Sequence, residues 1–198
     1  EVTRRGAIRA VLRGKKRRPA RAIAAHLDTL GAQVKMIKPN GRLEIVPIGD
    51  LPLYNQDLDE DPPAAWRDFR ERVRRADALL FVTPEYNRSI PGVLKNAIDV
   101  GSRPYGHSAF EKKPGAVISV SPGRYGGFGA NHHLRQCCVF LDIPLMQQPE
   151  AYLGGVSAET FGEEGEVADQ GTRKLLQRFI DSYADWVEKI LRGPGELA

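Results

Sequence analysis

The sequence has few cysteines and no long apolar run, and these two absences exclude several classes of protein. Its only cysteines, Cys137 and Cys138, are neighbours, so they cannot join distant segments through a disulfide. No apolar stretch approaches the ~20 residues that cross a bilayer. The opening residues, Glu1 to Arg5, are followed by no apolar segment of the kind found in secretory signals. We therefore expect a cytoplasmic protein that makes no membrane contact.

Motifs of hydrolytic, nucleotide-driven and metal-dependent chemistry are also missing. The chain has no CxxC, no GxGxxG, no phosphate-binding Walker loop, no HExxH and no nucleophile elbow. We interpret the adjacent His132 and His133 as helix-surface residues. The acids between Asp57 and Asp61 lack the glycine and terminal glutamate of a calcium loop, which favours a solvated segment. We expect no metal site, and no side chain is assigned as a catalytic acid, base or nucleophile.

What the chain does have is enough apolar sequence for one globular domain. Its 198 residues are 41% hydrophobic and 27% charged. This length and balance predict a single domain over residues 1–198 with a sizeable core.

The positive charge is concentrated at the start of the chain. Residues 1–42 hold 12 Lys/Arg against 2 Asp/Glu, whereas the remaining residues are net acidic. The densest run, Arg13–Arg18, suits a phosphate-binding loop, a nucleic-acid arm or a solvated basic face. Basic residues are sparse elsewhere and no aromatic residues interleave with this run, so we expect no nucleic-acid partner.

From Leu43 onward, strand-like and helix-like segments alternate. Short apolar runs at 78–83 and 115–120 predict strands buried on both faces, with further strands at 43–48, where Pro47 indicates a sheet edge, and at 143–146. Helical patterns follow them, including a stripe of Trp66, Phe69 and Val73 on a helix that Asp61 caps. This order predicts a parallel α/β sheet with helices on both faces.

Two loops directly follow the buried strands and should lie at the same edge of the sheet. The first, Pro84–Ser89, is stiffened by Pro84 and by Pro91 beyond it. Its backbone amides and Tyr86 suit a flat heteroaromatic ring, although an ordinary strand-to-helix turn would look similar. The second, Ser121–Gly129, has four glycines that permit close approach of a ligand, although a flexible turn would also contain them.

At these residues the sequence resembles the NADPH-dependent FMN reductases, which include quinone, chromate and azoreductase-like enzymes. The resemblance covers about Gly41 to Gly155. It is most specific in Leu51–Asp57, in the run from Ala76 to Asn87, in Ser89–Asp99 and in His133–Gln136. It implies a flavodoxin-like three-layer α/β/α sandwich with a five-stranded parallel sheet in the order 2-1-3-4-5.

The resemblance also implies a site and an activity. FMN would be the cofactor, with NADPH or NADH as co-substrate. Electrons would pass to a quinone, a free flavin, an azo compound or a metal oxyanion such as chromate. The family works as homodimers or homotetramers. Its pattern places Pro84, Glu85, Tyr86 and Asn87 around the isoalloxazine ring of FMN, and places at the pyrimidine side of that ring Ser121, Gly123, Arg124, Tyr125 and Gly126.

The start of the chain departs from the family pattern. The family has a loop Gly-Ser-x-Arg-x-x-Ser-x-Asn that holds the FMN phosphate, whereas here only Leu12-Arg13 stands where its Leu-Arg pair would be. Arg13 is therefore the candidate phosphate ligand. Three interpretations stay open. Lys/Arg charge replaces the hydroxyl groups, phosphate binding is lost, or the first ~40 residues reflect a shifted reading frame or misassigned residues.

The sequence therefore favours an FMN-dependent NAD(P)H oxidoreductase. The alternative is a catalytically degenerate flavodoxin-like binding module whose grip on the FMN phosphate is impaired.

Overall fold

The computed structural model describes residues 21–27, 30–37, 43–161 and 166–192. A six-stranded sheet is at the centre, with the strand order β3-β2-β1-β4-β5-β6. The strands are β1 (Arg21–Leu27), β2 (Leu30–Ile37), β3 (Leu43–Pro47), β4 (Ala78–Pro84), β5 (Gly115–Val120) and β6 (Ala151–Leu153). The helices are α1 (Ala64–Arg74), α2 (Gly92–Gly101), α3 (Phe128–Phe140) and α4 (Gln170–Arg192).

One half of the sheet is parallel, as the sequence predicts. Strands β1, β4, β5 and β6 run in the same direction, and β4 pairs with β5 from Leu79↔Gly115 to Pro84↔Val120. Both central strands are almost entirely buried. The carboxyl ends of β4 and β5 therefore meet at one edge, and the two loops of interest leave the sheet there.

The other half differs from the predicted five-stranded order. Strands β1, β2 and β3 form an antiparallel meander, so the described residues contain six strands and do not confirm the five-stranded parallel order. Only residues 28 and 29 separate β1 from β2. Two residues suffice for a hairpin, whereas a parallel crossover needs a dozen or more, so β1 and β2 pair antiparallel. The predicted edge position of the strand that contains Pro47 is confirmed, because β3 is the outermost strand.

Helices cover both faces of the sheet, which confirms the layered α/β arrangement in the described part of the chain. Alternate residues of β4 point to opposite faces: Leu79 and Phe81 pack with α1, α2 and α3, while Ala78 and Leu80 pack with α4. The predicted stripe on α1 is buried as expected, with Trp66 fully enclosed.

Two local predictions are wrong. Asp61 does not cap α1, because the helix begins after Pro63 and no side chain caps it. Residues 143–146 form no strand beyond a single bridge from Leu145 to Gly115. The last strand is instead β6, a few residues further along the chain. Pro144 and Pro149 have no backbone N–H group, so they cannot donate the hydrogen bonds that a longer strand requires there.

Candidate functional site

Two loops form the candidate site at the carboxyl edge of the parallel strands. The turn loop (residues 84–89) begins at the last residue of β4, and the glycine loop (residues 121–127) follows β5 and leads into α3. Neighbouring parallel strands of an open α/β sheet commonly bind ligands at this edge. The structure therefore brings together the two segments that the sequence singled out.

The turn loop is held by its own backbone. The amide of Tyr86 donates to the carbonyl of Ser89 at 2.9 Å, and the Ser89 amide donates back to Tyr86 at 2.9 Å. Between them Asn87 and Arg88 have φ angles of 50° and 65°. Two successive positive φ values are typical of a type I′ turn, which strongly prefers Asn or Gly. Asn87 suits this geometry, whereas Arg88 adopts it at a conformational cost.

Glu85 connects the two loops. Its carboxylate Oε2 accepts a hydrogen bond from the Ala130 amide at 3.0 Å, in the first turn of α3. A negative group at this position satisfies an otherwise unpaired amide and interacts favourably with the helix dipole. Arg88 Nη1 lies 3.9 Å from the other carboxylate oxygen, Glu85 Oε1. The guanidinium carbon of Arg88 lies 5.8 Å from the ring centroid of Tyr125 in the glycine loop. The Glu85 side chain therefore fixes the turn loop against α3.

The glycine loop owes its path to missing side chains. Gly126 and Gly127 have φ angles of 57° and 75°. A Cβ atom on Gly126 would come within 2.7 Å of the backbone of Tyr152, and one on Gly127 within 2.9 Å of Ser119 Cβ. Gly154 meets this loop from the other side, since a Cβ atom there would clash with the Arg124 carbonyl oxygen. Glycine is required here for conformation and for space.

A buried polar chain lies beneath the glycine loop. The hydroxyl of Ser119 donates to the Gly126 carbonyl at 2.7 Å and accepts from Asn131 Nδ2 at 3.2 Å. Asn131 Oδ1 accepts in turn from Arg135 Nε at 2.9 Å. Ser119 and Asn131 are fully buried. Sequence reasoning missed both residues. Two signals were available: Ser119 is polar within the apolar strand 115–120, and Asn131 shares a helix face with Leu134 and Cys138.

Two backbone amides of this region have no hydrogen-bond acceptor among the described residues. They are the N–H groups of Gly127 and Gly129, beside the Ala130 amide that Glu85 satisfies. Gly127 is buried, and a buried amide without a partner is costly unless a ligand or water supplies an acceptor. Exposed aromatic rings, Tyr86 and Tyr125, stand nearby on the two loops. The donors and rings fit a flat ligand with acceptor atoms along one edge.

The structure places the remaining sequence candidates as follows. Ser121 is held in the loop, since its amide donates to Leu153 and its hydroxyl accepts from the Gly123 amide at 3.1 Å. Gly123 and Arg124 are exposed. The carbonyl of Pro84 accepts from Thr83 Oγ1. Arg13 lies outside the described residues.

An aromatic and acidic cluster adjoins the glycine loop and was not anticipated. Tyr152 on β6 donates to Glu150 Oε1 at 2.7 Å and lies 3.1 Å from His132 Nε2. Phe128 packs against both rings. Burial, followed by the contact with Glu150, raises the pKa of Tyr152 to about 12. His132 and His133 are exposed on α3, as predicted, and His133 contacts Ser89 of the turn loop.

Two negative observations apply to the described residues alone. They contain no group of three or more His, Cys, Asp or Glu side chains arranged to hold a metal ion. None of their helices combines the length and apolarity needed to cross a membrane.

Comparison with known proteins assigns the chain to a family. The sequence model of the NADPH-dependent FMN reductases matches residues 6–157, a longer span than the resemblance from Gly41 to Gly155. A quinone reductase of Pseudomonas putida is 64% identical over 147 residues, which are 74% of this chain and 78% of that protein. A 2-hydroxy-1,4-benzoquinone reductase of a Burkholderia species is 51% identical over 144 residues, covering 73% and 78% of the two chains.

A solved structure agrees. The flavoenzyme NAD(P)H:(acceptor) oxidoreductase FerB from Paracoccus denitrificans superposes with a TM-score of 0.68 at 45% identity, over 71% of this chain and 77% of that one. The predicted family is thereby confirmed. The chain belongs to the NADPH-dependent FMN reductase family of oxidoreductases, with an α/β fold of the flavodoxin-like kind.

Proposed function

We propose that this protein is an FMN-dependent NAD(P)H:quinone oxidoreductase in which the turn loop and the glycine loop hold the flavin ring. The observation that carries the proposal is the convergence of these loops at one sheet edge, with unsatisfied Gly127 and Gly129 amides between them. Family membership supports FMN as the ligand. The proposal treats residues 1–198 as one flavodoxin-like domain.

The chain's own groups divide the work of binding. The backbone of Pro84, Glu85, Tyr86 and Asn87 would face the ring, while the Glu85 carboxylate is already engaged with α3 and acts by holding the loops together. Ser121, Gly123, Arg124, Tyr125 and Gly126 would line the pyrimidine side of the ring. Bound FMN would accept a hydride from NAD(P)H and pass the electrons on. No side chain is assigned as a catalytic acid or base.

A quinone is the acceptor class we favour. The relatives from Pseudomonas putida and Burkholderia are named for quinone reduction, and they are 64% and 51% identical to this chain. Exposed Tyr86 and Tyr125 at the site offer stacking surfaces for a second flat ring. Free flavin, azo compounds and chromate are the further acceptors that the family pattern suggested, and one assay compares all of them.

Arg13 remains the proposed ligand of the FMN phosphate. A guanidinium group binds phosphate through charge-assisted hydrogen bonds. Arg13→Ala should therefore weaken the binding of FMN and leave the binding of riboflavin, which lacks the phosphate, almost unaffected. Equal losses of affinity for FMN and riboflavin would show that Arg13 does not bind the phosphate.

We also propose that the protein assembles with further copies of itself, as a dimer or tetramer. Val139 and Phe140 are 77% and 73% exposed at the carboxyl end of α3. Two adjacent large apolar side chains on a surface are typical of an interface. Phe140→Glu should shift the mass measured by light scattering to that of a smaller species. An unchanged mass would place the interface elsewhere.

The activity is tested with protein that has been loaded with FMN. NADPH or NADH oxidation is followed with a benzoquinone, riboflavin, an azo dye and chromate as parallel acceptors. We expect turnover with the quinone to exceed that with the other acceptors. Loaded protein that oxidises neither nicotinamide with any acceptor would contradict the proposal and favour a degenerate binding module.

A further inference from the structure

Ser119 and Asn131 are two of the buried polar side chains in the described part of the chain. Ser119 lies on β5 and Asn131 on α3, and each is fully buried. Their hydrogen bonds run in one line, from Arg135 through Asn131 and Ser119 to the carbonyl of Gly126. Within this chain the Ser119 hydroxyl both donates and accepts, and a buried polar chain connected in this way holds its groups rigidly. This chain ends on a main-chain atom of the glycine loop.

The last contact fixes the orientation of one peptide plane. The Gly126 carbonyl and the Gly127 amide belong to the same planar, trans peptide unit, so they point in opposite directions. Because Ser119 holds the carbonyl at 2.7 Å, the Gly127 N–H is directed away from Ser119. That N–H has no acceptor among the described residues, although Gly127 is buried. The hydroxyl of Ser119 thus determines where an unsatisfied donor points.

The peptide needs such a restraint. Gly126 and Gly127 both have positive φ, and glycine moves between positive and negative φ at little cost. Rotation of the peptide would replace the amide donor with a carbonyl acceptor on the ligand side. The buried Ser119–Asn131 pair opposes this rotation from beneath the loop.

We propose that Ser119 and Asn131 are positioning residues that hold the Gly127 N–H toward the flavin ring. The inference rests on the proposed function, because it takes FMN as the ligand of the glycine loop. A fixed donor at the pyrimidine side favours the more electron-rich reduced flavin. The pair therefore contributes to FMN affinity and raises the midpoint potential of the bound flavin.

Two substitutions disturb the same contact by different routes. Ser119→Ala removes the hydroxyl that holds Gly126. Asn131→Asp keeps an acceptor for Arg135 but replaces the Nδ2 donor with an oxygen, so that the Ser119 hydroxyl turns toward the new carboxylate. Ser102→Ala is the matched control, because Ser102 is also buried and donates to a backbone carbonyl, that of Asp99, on α2.

FMN and riboflavin dissociation constants are measured by fluorescence quenching, with urea unfolding to verify that each variant is folded. Loss of one ligand-directed hydrogen bond should raise both constants about tenfold in Ser119→Ala and in Asn131→Asp. The midpoint potential of bound FMN should fall in both variants and stay unchanged in Ser102→Ala. Folded Ser119 and Asn131 variants with wild-type affinity and potential would overturn the inference while leaving the proposed function intact.

A measurement on the unaltered protein covers the case in which a variant does not fold. Hydrogen exchange of the Gly127 amide is followed by NMR with and without FMN. We expect FMN to slow this exchange strongly. FMN that binds without protecting the Gly127 amide would overturn the inference alone, whereas wild-type protein that binds no FMN would overturn both this inference and the proposed function.

Discussion

The turn loop and the glycine loop reach the same edge of the sheet but are stabilised in opposite ways. The turn loop keeps its shape through side chains and its own two backbone hydrogen bonds, and Glu85 attaches it to α3. The glycine loop can follow its path because its glycines have no side chains, and besides its own internal hydrogen bonds it is held from the interior by Ser119. The turn loop is therefore restrained by contacts near the protein surface, and the glycine loop by a contact from the buried interior.

This difference determines how each loop should respond to substitution. Contacts of the turn loop lie at the surface, where water replaces a lost partner at modest cost. The glycine loop has no room to relax, since Gly126 and Gly127 abut backbone and buried atoms. We therefore expect larger effects in the glycine loop than in the turn loop.

Gly126→Ala should have the largest effect. Its Cβ atom would lie 2.7 Å from Tyr152 backbone at a φ of 57°. Strain and clash together should destabilise the fold by about 3 kcal/mol and abolish FMN retention. Gly155→Ala is the control, because Gly155 has a φ of 68° but open space around it. It should cost about 1 kcal/mol in urea unfolding. Equal losses of stability in Gly126→Ala and Gly155→Ala would show that steric crowding is not what excludes a side chain from the glycine loop.

Glu85→Ala should have the next largest effect. It leaves the Ala130 amide without its acceptor at the start of α3, which should cost about 1.5 kcal/mol in urea unfolding. Glu85→Gln retains an acceptor oxygen and loses only the charge, so it should cost about 0.5 kcal/mol. If the glutamine variant is as unstable as the alanine variant, charge and not the hydrogen bond holds the loops together.

Asn87 allows the turn geometry to be separated from ligand contact. Asn87→Ala should destabilise the turn by about 0.5–1 kcal/mol, because alanine tolerates a φ of 50° poorly. Asn87→Gly accepts this φ without strain and should unfold at nearly the wild-type urea concentration. If both variants lose FMN affinity, the amide side chain of Asn87 contacts the ligand. If only the alanine variant loses affinity, Asn87 acts by maintaining the turn.

Ionisation of Tyr152, beside the glycine loop, should affect stability only at alkaline pH. Its pKa of about 12 lies above the ordinary 10.0, so the folded protein favours the neutral phenol. The resulting stabilisation is complete below pH 10 and is lost as the pH rises from 10 to 12. Burial is the main cause of the raised pKa, Glu150 adds to it and Arg135 opposes it. Between pH 9 and 11 the melting temperature of wild type should fall more than that of Tyr152→Phe. Parallel curves would mean that the phenol titrates normally.

Much of the fold and both loops could be predicted because local sequence determines them. The apolar runs at 78–83 and 115–120 mark central strands, and Trp66, Phe69 and Val73 mark a buried helix face. The antiparallel pairing of β1 and β2 was missed although it is local, because these strands contain several alanines and a glycine, residues that are uncommon in strands. Ser119 and Asn131 lie on different elements and meet through a hydrogen bond that only the folded chain forms, so no local pattern indicates their role.

A visible absorption spectrum recorded after loading with FMN and desalting tests the central claim most directly, namely that these two loops form a flavin site. We predict retained flavin bands near ~450 nm in wild type, the ordinary position of oxidised flavin, and their loss in Gly126→Ala but not in Gly155→Ala. Wild-type protein that emerges colourless, or a Gly126→Ala variant that retains FMN as well as wild type does, would contradict it.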